Sequence, residues 1–168
     1  ADGIVGFEDK FKEGKVSELN DSKLRIPYTP ESPSSFLMDL TISDFDLNNL
    51  ALSQNWRVEV DGSKAVFERA KRHDGNAFIM WEPELSKALS EIKGLKYIWG
   101  SDKFDGYIVD YFVFNRDYLD KHKADATKFL ELYFATMRSY AADRDRFLSD
   151  LKKATGLKQD VIEKIVFP

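Results

Sequence analysis

Two periods alternate along the first hundred residues. Ser22–Tyr28 (SKLRIPY) sets Leu24 and Ile26 at every second position, and Trp56–Val60 (WRVEV) does the same, so both are predicted strands. Between them, Thr29-Pro30-Glu31-Ser32-Pro33 must turn, because two prolines forbid a continuous ladder. Ser34 or Ser35 suits an N-cap, and Phe36-Leu37-Met38 with Leu40 begins a helix that breaks near Ser43–Asp46 and resumes over Leu47–Leu52. Asp61-Gly62-Ser63 is a turn and cap. Ala65, Val66, Phe67 and Ala70 follow at helical spacing, to about Arg72. Asp74-Gly75 turns again, and Ala77–Met80 is a fully apolar strand. Pro83 sits where a first helical turn tolerates proline, and Leu85, Ala88, Leu89 and Ile92 continue that helix until Gly94. Leu95–Trp99 is a further short strand. The alternation predicts an α/β fold with a mostly parallel sheet over residues 21–105. Residues 1–20 read as a lead-in with one short strand at Gly3–Phe7.

After Gly106 the pattern changes. Tyr107–Phe114 (YIVDYFVF) is a long apolar and aromatic strand prediction. Beyond it the periods are helical: Asp117–His122, Ala124–Tyr140, Asp143–Ala154 and Lys158–Val166. Phe129, Leu132, Tyr133 and Met137 form one stripe, which predicts a packed face. No internal repeat or low-complexity tract interrupts the chain.

Composition narrows the function classes. Of 168 residues, 43% are hydrophobic and 14% aromatic, enough for a packed core. The net charge is −4 with both signs interspersed, so no basic stripe invites a nucleic acid. Lys71-Arg72-His73 reads as a solvated helix end. The absence of cysteine removes disulfides, thiolate metal sites and thiol nucleophiles together. No stretch approaches the ~20 apolar residues that span a bilayer. ADGIVGF lacks the charged and apolar regions of a signal peptide.

Little in the chain calls for catalysis. His73 and His122 stand apart in polar surroundings, offering no metal-ligand spacing. No nucleophile elbow, phosphate loop or dinucleotide fingerprint is present. Glu82 and Glu84 flank Pro83 and suit the positive end of a helix. Asp143-Arg144-Asp145-Arg146 reads as a solvated helix start. Two features carry binding chemistry. TPESPSSF is a strand-to-helix turn whose backbone N–H groups and hydroxyls of Ser32, Ser34 and Ser35 can cradle a polar or anionic group, although plain helix capping accounts for the same serines. Trp81 ends a strand, and ligands of open α/β sheets lie outside the carboxyl ends of strands. Both features are therefore expected at one edge.

These stretches resemble a known family. YTPESPSSFL (Tyr28–Leu37), DGNAFIMWEPELSKA (Asp74–Ala88) and YIVDYFVFNRDYL (Tyr107–Leu119) followed by KHKADATKFLELYFATM are similar to periplasmic solute-binding proteins of the type 2 fold. The branch is the one serving ABC uptake of nitrate, taurine, aliphatic sulfonates and thiamine-pyrimidine precursors. The sequence departs from the family pattern at Pro30-Glu31, where glycine is usual, at Asn76 (aspartate) and at Ala124 (proline). The resemblance implies that residues 21–105 form the second lobe of such a receptor. Residues 106–168 would be a return strand and helices of the first lobe, in a chain shortened at its N-terminus. It implies ligand contacts at Ser32, Ser34, Ser35, Trp81 and Glu82, with Asp110 and Tyr111 on the segment that crosses between lobes. It also implies a small polar or anionic solute, no cofactor, an ABC permease as partner, and a periplasmic or cell-surface location. Helices without their sheet would expose the Phe129–Met137 face and promote a homodimer. A sensory module of the same fold, or a piece that binds nothing by itself, stays open as an alternative.

Overall fold

The computed structural model describes residues 1–104 and 106–166. The chain divides into two compact units, Ala1–Ile108 and Val109–Pro168.

Among the described residues the first unit has five strands. They are β1 (Asp2–Phe7), β2 (Ile26–Tyr28), β3 (Arg57–Glu59), β4 (Ala77–Trp81) and β5 (Leu95–Gly100). Helices α1 (Pro33–Asp44) and α2 (Asn48–Leu52) lie between β2 and β3. Helix α3 (Ser63–Lys71) joins β3 to β4, and α4 (Glu84–Glu91) joins β4 to β5. One sheet has the order β4-β1-β5, and β2 pairs with β3 in a second. The Asn76 N–H donates to the Arg25 carbonyl at 2.8 Å, tying the start of β4 to the approach of β2.

Period two decides which side chains go where. Ile4, Ala77, Ile79 and Ile98 join Leu37 and Met38 of α1, Trp56 and Phe11 in one apolar core. Val5, Phe7, Phe78, Met80 and Leu95 join α3 and α4 in another. Strands β1 and β4 are thus covered on both faces, which is why AFIM reads as an unbroken apolar run.

Three expectations change. The predicted lead-in supplies β1, the central strand of its sheet, buried along its whole length. The sheets are mixed rather than mostly parallel: β2 and β3 run parallel, but β1 is antiparallel to both β4 and β5. A helical crossover makes β4 and β5 parallel to each other, and leaves the direction of a strand entering between them unconstrained. Tyr107–Phe114 is not a strand. A ladder needs a partner edge, and no strand lies in 109–166 among the described residues.

The second unit is helical: α5 (Arg116–Lys121), α6 (Lys123–Ala142), α7 (Arg144–Thr155) and α8 (Gln159–Val166). Ala126, Leu148 and Ile162 are buried, whereas Phe129, Leu132, Tyr133, Phe134 and Met137 remain substantially exposed. Phe112 packs edge-on against Tyr133, with ring centroids 4.7 Å apart.

Candidate functional site

Helix α1 is capped at Ser32, two residues before the Ser34 that the sequence pattern favours together with Ser35. The Ser32 backbone is extended, at φ −135°. Pro33 takes the first helical position, where its fixed φ and missing N–H cost nothing. The Ser34 N–H donates to Ser32 Oγ at 3.2 Å, and the Ser35 N–H shares that acceptor. In return the Ser32 N–H donates to Ser35 Oγ at 3.1 Å, completing a capping box. The Ser32 and Ser35 hydroxyls donate to the carbonyls of Thr29 and Ser32, at 2.7 and 2.8 Å. The donors of this turn are therefore engaged within the turn itself.

Ser34 is fully buried, and its hydroxyl donates to Asp2 Oδ1 at 3.1 Å. Asp2 is only 6% exposed, and its N–H donates to Ser101 Oγ at 2.9 Å. It lies opposite Trp81 in the β1–β4 ladder. Asp2 thus links the serine turn, the end of β4 and the end of β5. Sequence reasoning passed over it. The signal was an acidic residue at the head of the strand GIVGF, where a polar side chain must find a partner once buried.

Trp81 is partly exposed, not sealed in the core. Ser63, at the start of α3, clamps its backbone: Ser63 Oγ accepts the Trp81 N–H at 3.0 Å and donates to the Trp81 carbonyl at 3.1 Å. The Glu82 N–H donates to the Ala1 carbonyl at 3.1 Å. Its carboxylate accepts from the Ser86 N–H at 3.1 Å and the Ser86 hydroxyl at 3.0 Å, so it caps α4. The Glu82–Pro83 peptide is cis.

Titratable groups gather around this edge. Tyr28, at the end of β2, donates to Glu59 Oε1 at 3.2 Å, and burial raises its phenol above the ordinary value. Burial, and then the carboxylate of Asp102 to which it donates, push Tyr97 far above the ordinary phenol range. Burial alone would raise Asp102, but Lys103 at 2.7 Å and Tyr97 hold it below its usual value. Thr29 Oγ1, beside the serine turn, is buried with no hydrogen-bond partner among the described residues.

The structure therefore gathers Ser32, Ser34, Ser35, Trp81 and Glu82 at one end of the first unit. Asp110 and Tyr111 belong to the second unit, in an irregular stretch where both are exposed. The histidines make local aromatic contacts: His73 stacks on Phe7 at 4.2 Å in the first unit, and His122 stacks on Tyr118 in the second. Among the described residues no His, Cys, Asp and Glu group could hold a metal ion. No described helix is long and apolar enough to cross a membrane.

No protein-family model matches the sequence, and no curated protein matches it. Solved structures do. The periplasmic aliphatic sulphonate-binding protein SsuA from Escherichia coli matches with a TM-score of 0.77 at 17% identity, over 99% of this chain and 54% of its own. The alkanesulfonate-binding protein SsuA from Xanthomonas axonopodis pv. citri, bound to MOPS, matches with a TM-score of 0.67 at 17% identity, over 98% of this chain and 54% of its own. This chain spans about half the length of those proteins. The likeness shows the fold: this chain is an α/β unit followed by helical elements, folded as is the corresponding part of those two structures.

Proposed function

We propose that the chain is part of an extracytoplasmic solute receptor of an ABC-type importer, in which the first unit supplies one wall of an interlobe cleft. One observation carries the reading: Asp2 joins the serine turn and Trp81 at a single edge of the sheet, with the indole still partly open to solvent. Strand ends and helix starts meeting at one edge are where open α/β sheets take ligands. The likeness to two sulfonate-binding proteins supports the fold on which this rests.

In this reading Trp81 offers an aromatic face to the solute. Ser32 and Ser35, whose hydroxyls are engaged within the turn, would shape the wall beside the indole, and Ser34 acts from behind through Asp2. Glu82 holds the start of α4 in place beside the indole. The second unit, which carries Asp110 and Tyr111, is proposed to belong to the receptor's other lobe. Closure would follow hinge motion, with a membrane permease receiving the loaded receptor. A periplasmic or cell-surface location follows from the same proposal.

Calorimetric titration with small sulfonates, nitrate and aminopyrimidines tests it. At least one class should bind, and Trp81→Ala should weaken that binding by about tenfold, the loss of one well-packed aromatic contact. Silence from every class sinks the receptor reading. Unchanged affinity in the variant removes Trp81 from the site.

A further inference from the structure

Helix α6 leaves its apolar side uncovered. Phe129, Leu132, Tyr133, Phe134 and Met137 are between 39% and 56% exposed, and so is Phe112. Ring contacts make these one patch: Phe112 meets Phe129 at 5.6 Å and Tyr133 at 4.7 Å, and Tyr133 meets Phe134 at 5.4 Å. The patch lies wholly within the second unit. Half of the ~200 Å² that a large side chain can bury, over these six, leaves about 600 Å² on each copy of the chain. Two such patches face to face would bury about 1,200 Å², the low end for a specific protein interface.

The charges beside the patch say what fits it. Thr127, Leu130, Phe134, Met137 and Ala141 recur at alternating steps of three and four, the core positions of two heptads. Glu131 and Arg138 then occupy the same flanking position of successive heptads. They lie on either side of Phe134 in a shallow groove that Thr127 and Leu130 complete. Arg138 has no ion pair among the described residues, and Glu131 has a loose one to Lys128 at 3.7 Å, where both side chains are exposed and the pair is weak. Two α6 helices laid antiparallel about a twofold axis near Phe134 set Glu131 of each copy beside Arg138 of the other. The patch is therefore its own complement in charge, as an isologous interface requires.

We propose that this face is the interface of a homodimer, in which α6 packs antiparallel on α6 of a second copy, with Phe134 at the centre and reciprocal Glu131–Arg138 pairs on either side. The modest area makes the dimer weak and reversible. The inference stands apart from the receptor reading, since neither the serine turn nor Trp81 takes part in it.

Sedimentation velocity of the 168-residue chain, from low micromolar to submillimolar concentration, should show a reversible passage from one chain to two. Glu131→Arg and Arg138→Glu exchange good helix formers at exposed positions, so circular dichroism should keep the wild-type helix content. Each variant alone should dimerise about tenfold or more weakly, because both of its cross-contacts become like-charged. Mixing the two variants should restore a dimer, one copy then carrying cations at both positions and the other acids. The double variant Glu131→Arg/Arg138→Glu should dimerise as the wild type does. A wild-type chain that stays monomeric throughout overturns the proposal and leaves the face to another occupant. A dimer indifferent to the reversals, or a mixture no stronger than its components, also overturns it. Open-ended aggregation that ignores the charges does the same. Should a single variant lose its helix, the wild-type series and the double variant decide. Each of these outcomes leaves the receptor reading where solute titration puts it.

Discussion

The hydroxyl of Ser34 donates to the carboxylate of Asp2 at 3.1 Å, across 32 residues of sequence. Both groups are buried, so neither can turn to water for a partner. That bond fastens the start of α1 to the first residue of the central strand. It brings the serine turn beside Trp81, which faces Asp2 in the neighbouring strand. Stability and proposed function meet in this pair.

Ser63→Ala removes the group that accepts from and donates to the backbone of Trp81, at 3.0 and 3.1 Å. Ser63 is buried, so water replaces neither bond readily. Unfolding in urea should show a loss of about 1–3 kcal/mol, the range for leaving buried polar groups unmatched. Trp81 emission should change as well, because the end of β4 loses its clamp. An unaltered midpoint would show that this clamp contributes nothing.

Ser32→Ala removes the oxygen that serves the N–H groups of Ser34 and Ser35. A loss of about 0.5–2 kcal/mol is expected, with Ser32→Asp recovering most of it. Ser34→Ala acts differently, since it strips Asp2 of a donor rather than uncapping the helix. The two losses should therefore not track each other, which a double-mutant cycle measures.

Gly75 holds φ at 151°, where side chains are strained. A Cβ there would lie 2.7 Å from Pro27 Cδ and 2.9 Å from Phe78 Cε1. Gly75→Ala should cost about 1–3 kcal/mol, read from thermal or urea unfolding. Gly62→Ala is the control. It shares the positive φ, at 83°, but meets nothing within 4 Å, so it should cost less.

Tyr97 gives a pH prediction with a definite sign. Burial and the Asp102 carboxylate raise its phenol in the folded state. A raised value means that the folded protein holds the proton more tightly than the unfolded chain. The stabilisation is complete below the ordinary phenol value of about 10 and is lost as the pH climbs beyond it. Wild type should therefore lose stability more steeply than Tyr97→Phe above about pH 10. Urea midpoints measured from neutral to alkaline pH test this, and parallel profiles would remove the coupling.

Much of the architecture was legible because local rules govern it. Alternation in WRVEV, the apolar AFIM and the spacing of Val66, Phe67 and Ala70 each specify an element from its own neighbours. The break between α1 and α2 and the tandem of α5 to α8 follow in the same way. Ser32 was harder to place, because three serines in five residues all suit a cap. Only the proline at the first helical position selects it.

What the amino-acid order determined by itself is the list of elements, the apolar faces they bury and the residue types at the strand ends. Those depend on backbone propensity and on side-chain period, which act over a few residues. Tertiary structure decided the rest. It put β1 antiparallel between β4 and β5, left Tyr107–Phe114 without a strand partner, and brought Asp2 onto Ser34 and beside Trp81. Strand pairing and a buried hydrogen bond are contacts between distant segments. Their free energy exists only once the chain has closed the loops between them.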